Sequence, residues 1–296
     1  MLKRIDYRDV SEFKVARTIM GHPIYYNHFF YCDGLLIDSG PSRVAGEVLS
    51  ALKILPVKQV IITHQHEDHT GNCRLIRREL GIPIYAHPGT VRAMASPPSI
   101  QVYRKLMWGI MPPAEASPLK EVVTTGRYQF QVIHTPGHSS DHVCFFEPTM
   151  RWLFCGDLYL GESLNSFMAG ENIADHLTSL KKTISLKPKI LFCGLKGRLE
   201  NAEDRLRRKY ECWWDIGSKV LKLQEEGFER KEILKKVLGG ETLFYYFSQS
   251  NWGRRFMLDS IIDNSDYFQA EKKSPTGIGN NRQETEQTHK PSSVLP

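Results

Sequence analysis

The stretch VIITHQHEDHTGN, residues 60–72, decides the reading of this chain. It opens as an apolar run of strand type. The next six positions then hold His64, His66, Glu67, Asp68 and His69. Ionisable groups are costly to bury together unless something binds them. A loop at a strand end frees its side chains from the ladder and lets them converge on one point. His64 and His66, two apart, face the same way if extended geometry persists by one step. Asp68 and His69 follow on the turn into the next helix. Neutral imidazole and carboxylate are the donors that zinc and similar cations prefer. One imidazole pair does not complete such a site, so further donors must come from elsewhere in the fold.

Two later segments offer them. HTPGHSSDH, residues 134–142, sets His138 after a Pro-Gly turn, and FCGD, residues 154–157, presents Asp157 after a glycine. Each delivers a polar group at a strand end. His22, His28, His87, His134, His142, His176 and His289 stand singly and read as surface or core histidines.

The rest of the chain supplies a scaffold for those strand ends. It has 296 residues, 41% hydrophobic and 24% charged, enough for one large α/β domain with a small appendage. Its formal net charge of +6 is a mild excess rather than the basic stripe of a nucleic-acid binder. No window approaches the roughly 18 apolar residues of a membrane span. MLKRIDYRDVSEFK lacks the apolar core of a signal peptide, so a cytoplasmic location is expected, with no membrane partner. Cys32, Cys73, Cys144, Cys155, Cys193 and Cys212 form no CxxC pair and read as small hydrophobes in a reducing compartment.

Strand-type runs occupy residues 13–37, followed by a helix over 43–55, the strand 58–63, a helix ended by Gly81 and the strand IPIYAHP. Residues 96–118 form a proline-rich excursion around YRKLMWGIM, of the kind that lids a site or simply decorates a surface. Strands return from 126, with a helix over 174–186 and a last strand KPKILFCG. Alternating strands and helices with polar clusters at strand ends make an α/β pattern. Three regions are expected: a main domain over 1–198, a helical C-terminal extension over 199–268, and a disordered polar tail over 269–296. The extension's helices need a surface for their apolar faces, either the main domain or a second subunit in a homodimer.

THQHEDH resembles the HxHxDH signature of the metallo-β-lactamase fold superfamily. LLIDSG resembles its early strand-turn, whose aspartate is Asp38 here. TPGHS and GD resemble its third and fourth motifs, and the order and spacing agree over roughly residues 12–197. The resemblance implies an αββα four-layer sandwich with metal ions between the edges of two sheets. It implies one ion on His64, His66 and His138, a second on Asp68 and His69, and Asp157 bridging. The pattern breaks at ILFCGLKG, where Leu195 stands in place of the family's last histidine. The second ion then keeps Asp68, His69, the bridge and water, or Lys196 leans into the gap, or His176 reaches in from its helix.

The expected chemistry is metal-dependent hydrolysis of an ester, thioester or lactone of a small molecule. The cation makes hydroxide accessible near neutral pH, and Asp68 orients the water and carries its proton. One or two Zn2+ are expected, with iron or manganese as substitutes. Asp38 is a candidate acceptor behind the ligand histidines. Two other readings are a phosphodiesterase or ribonuclease of the same superfamily, prompted by the basic cluster in RLENAEDRLRRK, and a metal-binding interaction module without turnover. Tyr103, Met107 and Trp108 are candidates to line a substrate pocket.

Overall fold

A computed structural model describes residues 1–20, 22–23 and 25–272. Two mixed sheets stack face to face. The first runs in the order Leu2–Tyr7, Val10–Val15, Asn27–Cys32, Leu35–Ile37, Gln59–Ile62, Ile84–Ala86 and Ser117–Pro118. The second runs Val122–Thr124, Gln129–His134, Val143–Glu147, Trp152–Gly156, Ile190–Cys193 and Gly197–Glu200. Antiparallel pairs build one side of the first sheet and both flanks of the second. Parallel pairs, reached through helical crossovers, build the part nearest the histidines.

Side chains alternate between two interiors because successive strand residues point to opposite faces. Phe145, Trp152 and Phe154 meet Phe30, Ile37 and Ile61 between the sheets. Their neighbours Cys144, Leu153 and Cys155 face outward into a second core, built from the helices Ile173–Ser185, Ala202–Glu225 and Arg254–Asp263. The outer face of the first sheet is covered by Ala45–Lys53, Cys73–Leu80 and Pro88–Ala95. The result is the αββα four-layer sandwich. Phe154 stacks on Phe192 at 4.4 Å between centroids, and Phe30 meets both edge-on. Aromatic pairs of this kind add about 1 kcal/mol each beyond their burial.

Two expected boundaries move. The extension expected from residue 199 would cut through the edge strand Gly197–Glu200, whose Leu199 pairs with Leu191 in the second sheet. The helix that follows, Ala202–Glu225, is the sandwich's own fourth layer, because Tyr210 and Trp213 fill the core against that sheet. The tail expected from 269 starts inside the helix Ser265–Lys272, held by the buried Phe268; residues 273–296 lie outside the described residues. Phe268 is seated on Gly217, where an added Cβ would lie 2.2 Å from its ring. Gly217→Ala is therefore expected to lower stability by about 1–3 kcal/mol through overpacking. Urea denaturation checks this, and an unchanged midpoint would mean the last helix shifts freely.

The proline-rich excursion carries the short helix Val102–Met107 back over the sheet edge. There it meets residues 243–253: the Tyr103 hydroxyl donates to Asn251 Oδ1 at 2.8 Å, and Val102 N–H donates to Gln249 Oε1 at 3.3 Å. A two-residue ladder pairs Phe167–Met168 with Trp252–Gly253. Two distant segments thus close over one edge of the sandwich. Among the described residues no helix is long and apolar enough to cross a membrane.

Candidate metal centre

The carboxyl ends of Gln59–Ile62, Trp152–Gly156 and Ile190–Cys193 and the turn after Gln129–His134 all open at that edge. His64 and His66 follow the end of Gln59–Ile62, His66 in extended backbone, and Glu67–Thr70 forms one helical turn. His66 Nδ1 lies 3.0 Å from both His64 Nε2 and His138 Nε2. His69 Nε2 stands 3.3 Å from Asp157 Oδ1 and 3.7 Å from Asp68 Oδ2, while Asp157 Oδ2 stands 3.5 Å from His138 Nε2. All six sequence candidates therefore meet, with Asp157 between the two histidine groups.

Glycines permit this approach. Gly156 has φ 45°, and a Cβ there would sit 2.8 Å from His142 Nε2 and 2.9 Å from Thr63. A Cβ on Gly194 would sit 2.7 Å from both Asp157 Oδ1 and His69 Cε1. Only glycine lets the backbone come so close.

Residues 33–195 match the Metallo-beta-lactamase superfamily. The chain belongs to that superfamily. Among curated relatives it is 28% identical over 217 residues to a protein of Aspergillus fumigatus named atrochrysone carboxyl ACP thioesterase, covering 69% of this chain and 62% of that protein. It is 26% identical over 149 residues to a hydroxyacylglutathione hydrolase of Legionella pneumophila, covering 50% of this chain and 51% of that one. The chain thus spans less than two thirds of either relative. The solved metallo-beta-lactamase family protein of Thermus thermophilus superposes with a TM-score of 0.65 at 19% identity, over 90% of this chain and 95% of that one. At that identity the likeness speaks for the fold alone.

The superfamily cluster fits a divalent cation on its own chemistry. Burial and the neighbouring imidazoles hold His64 and His66 well below the usual histidine range, so both stay neutral donors. His66 Nδ1, with one proton or one lone pair, cannot well satisfy two ring nitrogens each 3.0 Å away. His69 Nε2 is buried, lacks a hydrogen-bond partner among the described residues, and faces two carboxylates. With no cation present, Asp157, Asp38 and Asp68 outweigh burial and raise His69 well above its ordinary range. Burial pushes the Asp68 carboxyl up to about 6, with Asp157 and Glu67 adding to the push and His69 opposing it.

Behind the cluster each ring is oriented by a second partner. Asp38 was a candidate acceptor for the first three histidines. Instead its Oδ2 binds His69 Nδ1 at 2.7 Å, and it reaches His64 only through the Thr63 hydroxyl. The reason is local: the tight turn at Asp38, φ 63°, aims its carboxylate at Thr63 and His69 rather than at the outer histidines. His138 Nδ1 is held instead by Glu171 Oε1 at 3.1 Å. The same carboxylate takes His176 Nε2 at 3.0 Å. His176 therefore supports His138 from behind and does not reach the Asp68–His69 side. Lys196 does not fill the gap either. It is exposed, and its Cε lies over Gly161. Leu195, 38% exposed, turns into the cavity and keeps that side apolar.

Sequence reading missed Glu171, Asn27, Asp141 and Arg104. Asn27 Nδ2 donates to Asp68 Oδ2 at 2.7 Å. Asp141 Oδ2 accepts from Gln65 N–H and from the Thr90 hydroxyl, fixing the loop between His64 and His66. Arg104 donates to Glu67 through Nε at 2.8 Å and Nη2 at 2.6 Å, in a buried bidentate pair. Asp141 lies within HTPGHSSDH and Arg104 within YRKLMWGIM, but neither stretch signals its partner; Asn27 and Arg104 lie 41 and 37 positions from Asp68 and Glu67, and Glu171 lies 33 from His138.

Glu171 gives the metal-free protein a pH signature. Burial raises its carboxyl, but His138 and then His176 outweigh burial and hold it at about 2, below its ordinary 4.5. Burial lowers His138, but Glu171 outweighs it and raises the ring above 6.5. The carboxylate's contribution is present above 4.5 and lost as pH falls toward 2. The imidazole's contribution is present below 6.5 and lost as pH rises through its folded value. The pair stabilises most between those limits. Glu171→Gln is expected to cost a few kcal/mol there, on the order of 3 at most, and progressively less toward pH 2. Denaturation of chelator-treated protein across that range checks it. A difference that does not vary with pH would mean the pair is not ionised.

Proposed function

We propose that this protein is a metal-dependent hydrolase acting on an ester, thioester or lactone of a small molecule. The observation that carries the reading is the convergence of His64, His66 and His138 on one point with Asp157 between them and the His69–Asp68 side. His64, His66 and His138 would hold one divalent cation; Asp68, His69 and Asp157 would offer a second, weaker position. Zinc suits these donors, and iron or manganese would also be accepted. A cation bound there supplies Lewis acidity, polarising a carbonyl oxygen and making hydroxide accessible near neutral pH.

The chain's own residues do the rest. Asp68 has one oxygen fixed by Asn27, and among the described residues its Oδ1 accepts no hydrogen bond. A carboxylate held in that position can take a proton from water and return it to a leaving group. Tyr25, Trp108, Leu160, Met168, Leu195 and Trp252 make an apolar chamber of about 100 Å3 beside these groups. Similarity to relatives named as a thioesterase and as a hydroxyacylglutathione hydrolase supports the acyl class.

The basic cluster gives no support to nucleic acid as substrate. Arg205 and Arg208 both bind Glu162, Arg207 binds Glu203, and Lys209 is buried with its ammonium on Gly161 O and over Trp213. The test is hydrolysis of short acyl esters, thioesters and lactones by protein of measured metal content, with a phosphodiester alongside. Acyl turnover that vanishes on chelation and returns with metal supports the reading. Phosphodiester cleavage without acyl turnover replaces it with the nuclease reading. No turnover at full metal content leaves a metal-binding module.

A further inference from the structure

The space at the metal centre is divided. On one side is the small apolar chamber; on the other, under the proline-rich excursion, is a chamber of about 370 Å3 lined by Pro97, Pro98, Gln101, Lys105 and Met111 among others. Two residues line both chambers, His66 and Arg104. A molecule that occupies both chambers passes Arg104 at their shared wall.

Arg104 is equipped to meet it. A guanidinium has five N–H donors, and only two of them serve Glu67. Among the described residues the other three have no hydrogen-bond acceptor, and although most of the side chain is buried, Nη1 is not sealed from solvent and is open to a ligand. Glu67 fixes the plane of the group, which is what bidentate recognition of a carboxylate or phosphate requires. Because Glu67 balances Arg104, the surplus positive charge on that side comes from Lys105. The apolar chamber sets the other half of the specificity. Its ~100 Å3 is less than the roughly 150 Å3 of a cavity that admits benzene, so it fits a short acyl chain.

We propose that Arg104 is the receptor for an anionic group, a carboxylate or phosphate, carried by the substrate. The substrate is then amphipathic, with a short apolar arm against Leu195 and Trp252 and an anionic arm along the excursion. Naming these arms acyl and leaving group rests on the hydrolase reading; the receptor itself does not.

The experiment is calorimetric titration with a non-hydrolysable pair. One ligand is a keto acid with a propyl group on its carbonyl and a carboxylate at the far end of the other arm. The second is its neutral N-methylamide. A phosphonate analogue of the acid distinguishes which anion is preferred. Wild-type protein is expected to bind the acid or the phosphonate about tenfold or more tightly than the amide, as a hydrogen-bonded charge contact would give. The preference should disappear in Arg104→Met and survive in part in Arg104→Lys. Arg104→Met leaves Glu67 unpaired, so the double variant Glu67→Gln/Arg104→Met repeats the measurement without a buried lone charge. Trp252→Ala should weaken acid and amide equally. Equal binding of acid and amide by wild type, an unchanged preference in the Arg104 variants, or no binding of any ligand overturns the proposal. Because the titration needs no turnover, an Arg104-dependent preference in a protein that hydrolyses nothing would sink the hydrolase reading and keep the receptor. An active enzyme without the preference would do the reverse.

Discussion

Asp68→Asn is expected to lower kcat on an acyl substrate by about 100- to 10,000-fold, the range for loss of a positioned proton carrier. The substitution keeps the size of the side chain and an oxygen for Asn27 to donate to, so the fold and the chamber should survive. It removes a carboxyl that burial has brought to about 6. It also removes one negative charge 3.7 Å from His69 Nε2 and therefore weakens the second cation position. Elemental analysis on the same sample separates these effects. A large fall in kcat at unchanged metal content assigns the proton to Asp68. A fall that tracks lost metal assigns Asp68 to ligation instead. A change of less than about tenfold would remove it from the chemistry altogether. Asn27→Ala should show a smaller fall of the same kind, since it frees Asp68 without removing it.

Leu195→His should raise the metal content of purified protein from roughly one to roughly two equivalents per chain, because it supplies the nitrogen donor that the second position lacks. The backbone is already in place: Gly194 abuts both Asp157 and His69, and Leu195 is the next residue. The substitution has a second consequence. It replaces an apolar wall of the small chamber with a polar ring, so binding of apolar acyl groups should weaken as the metal content rises. Unchanged metal content would mean that the side chain at 195 points beyond reach of His69 and Asp157. A wild type that already holds two equivalents would mean that Asp68, His69 and Asp157 suffice.

The α/β alternation was legible in the run of strands and helices, whereas the layered sandwich and the meeting of the six polar residues were legible through the resemblance carried by THQHEDH, TPGHS and GD. Those motifs are short runs just beyond strand ends, where ionisable groups interrupt an apolar pattern. The departure at Leu195 was legible too, because a leucine cannot stand in for an imidazole. What filled the gap was not. Choosing among Lys196, His176 and an apolar wall depends on where side chains point, and local pattern does not carry that. Glu171, Asn27 and Arg104 were hidden for a related reason. Arg104 precedes a run of ordinary residues, and its meaning lies in Glu67, 37 positions away. Asn27 opens a strand, and its partner Asp68 is 41 positions away. The boundaries at 199 and 269 went astray because charged amphipathic helices look alike whether they form an appendage or the outer layer of a sandwich.

The pairing of Met168 with Trp252 also has a consequence for how the molecule comes into being. Every histidine and aspartate of the cluster has left the ribosome by Asp157, yet one wall of the small chamber waits for Trp252, about 95 residues later. That wall cannot close until the chain has been made at least that far. A growing chain would acquire the groups that bind and react before it acquires the wall that selects what reaches them.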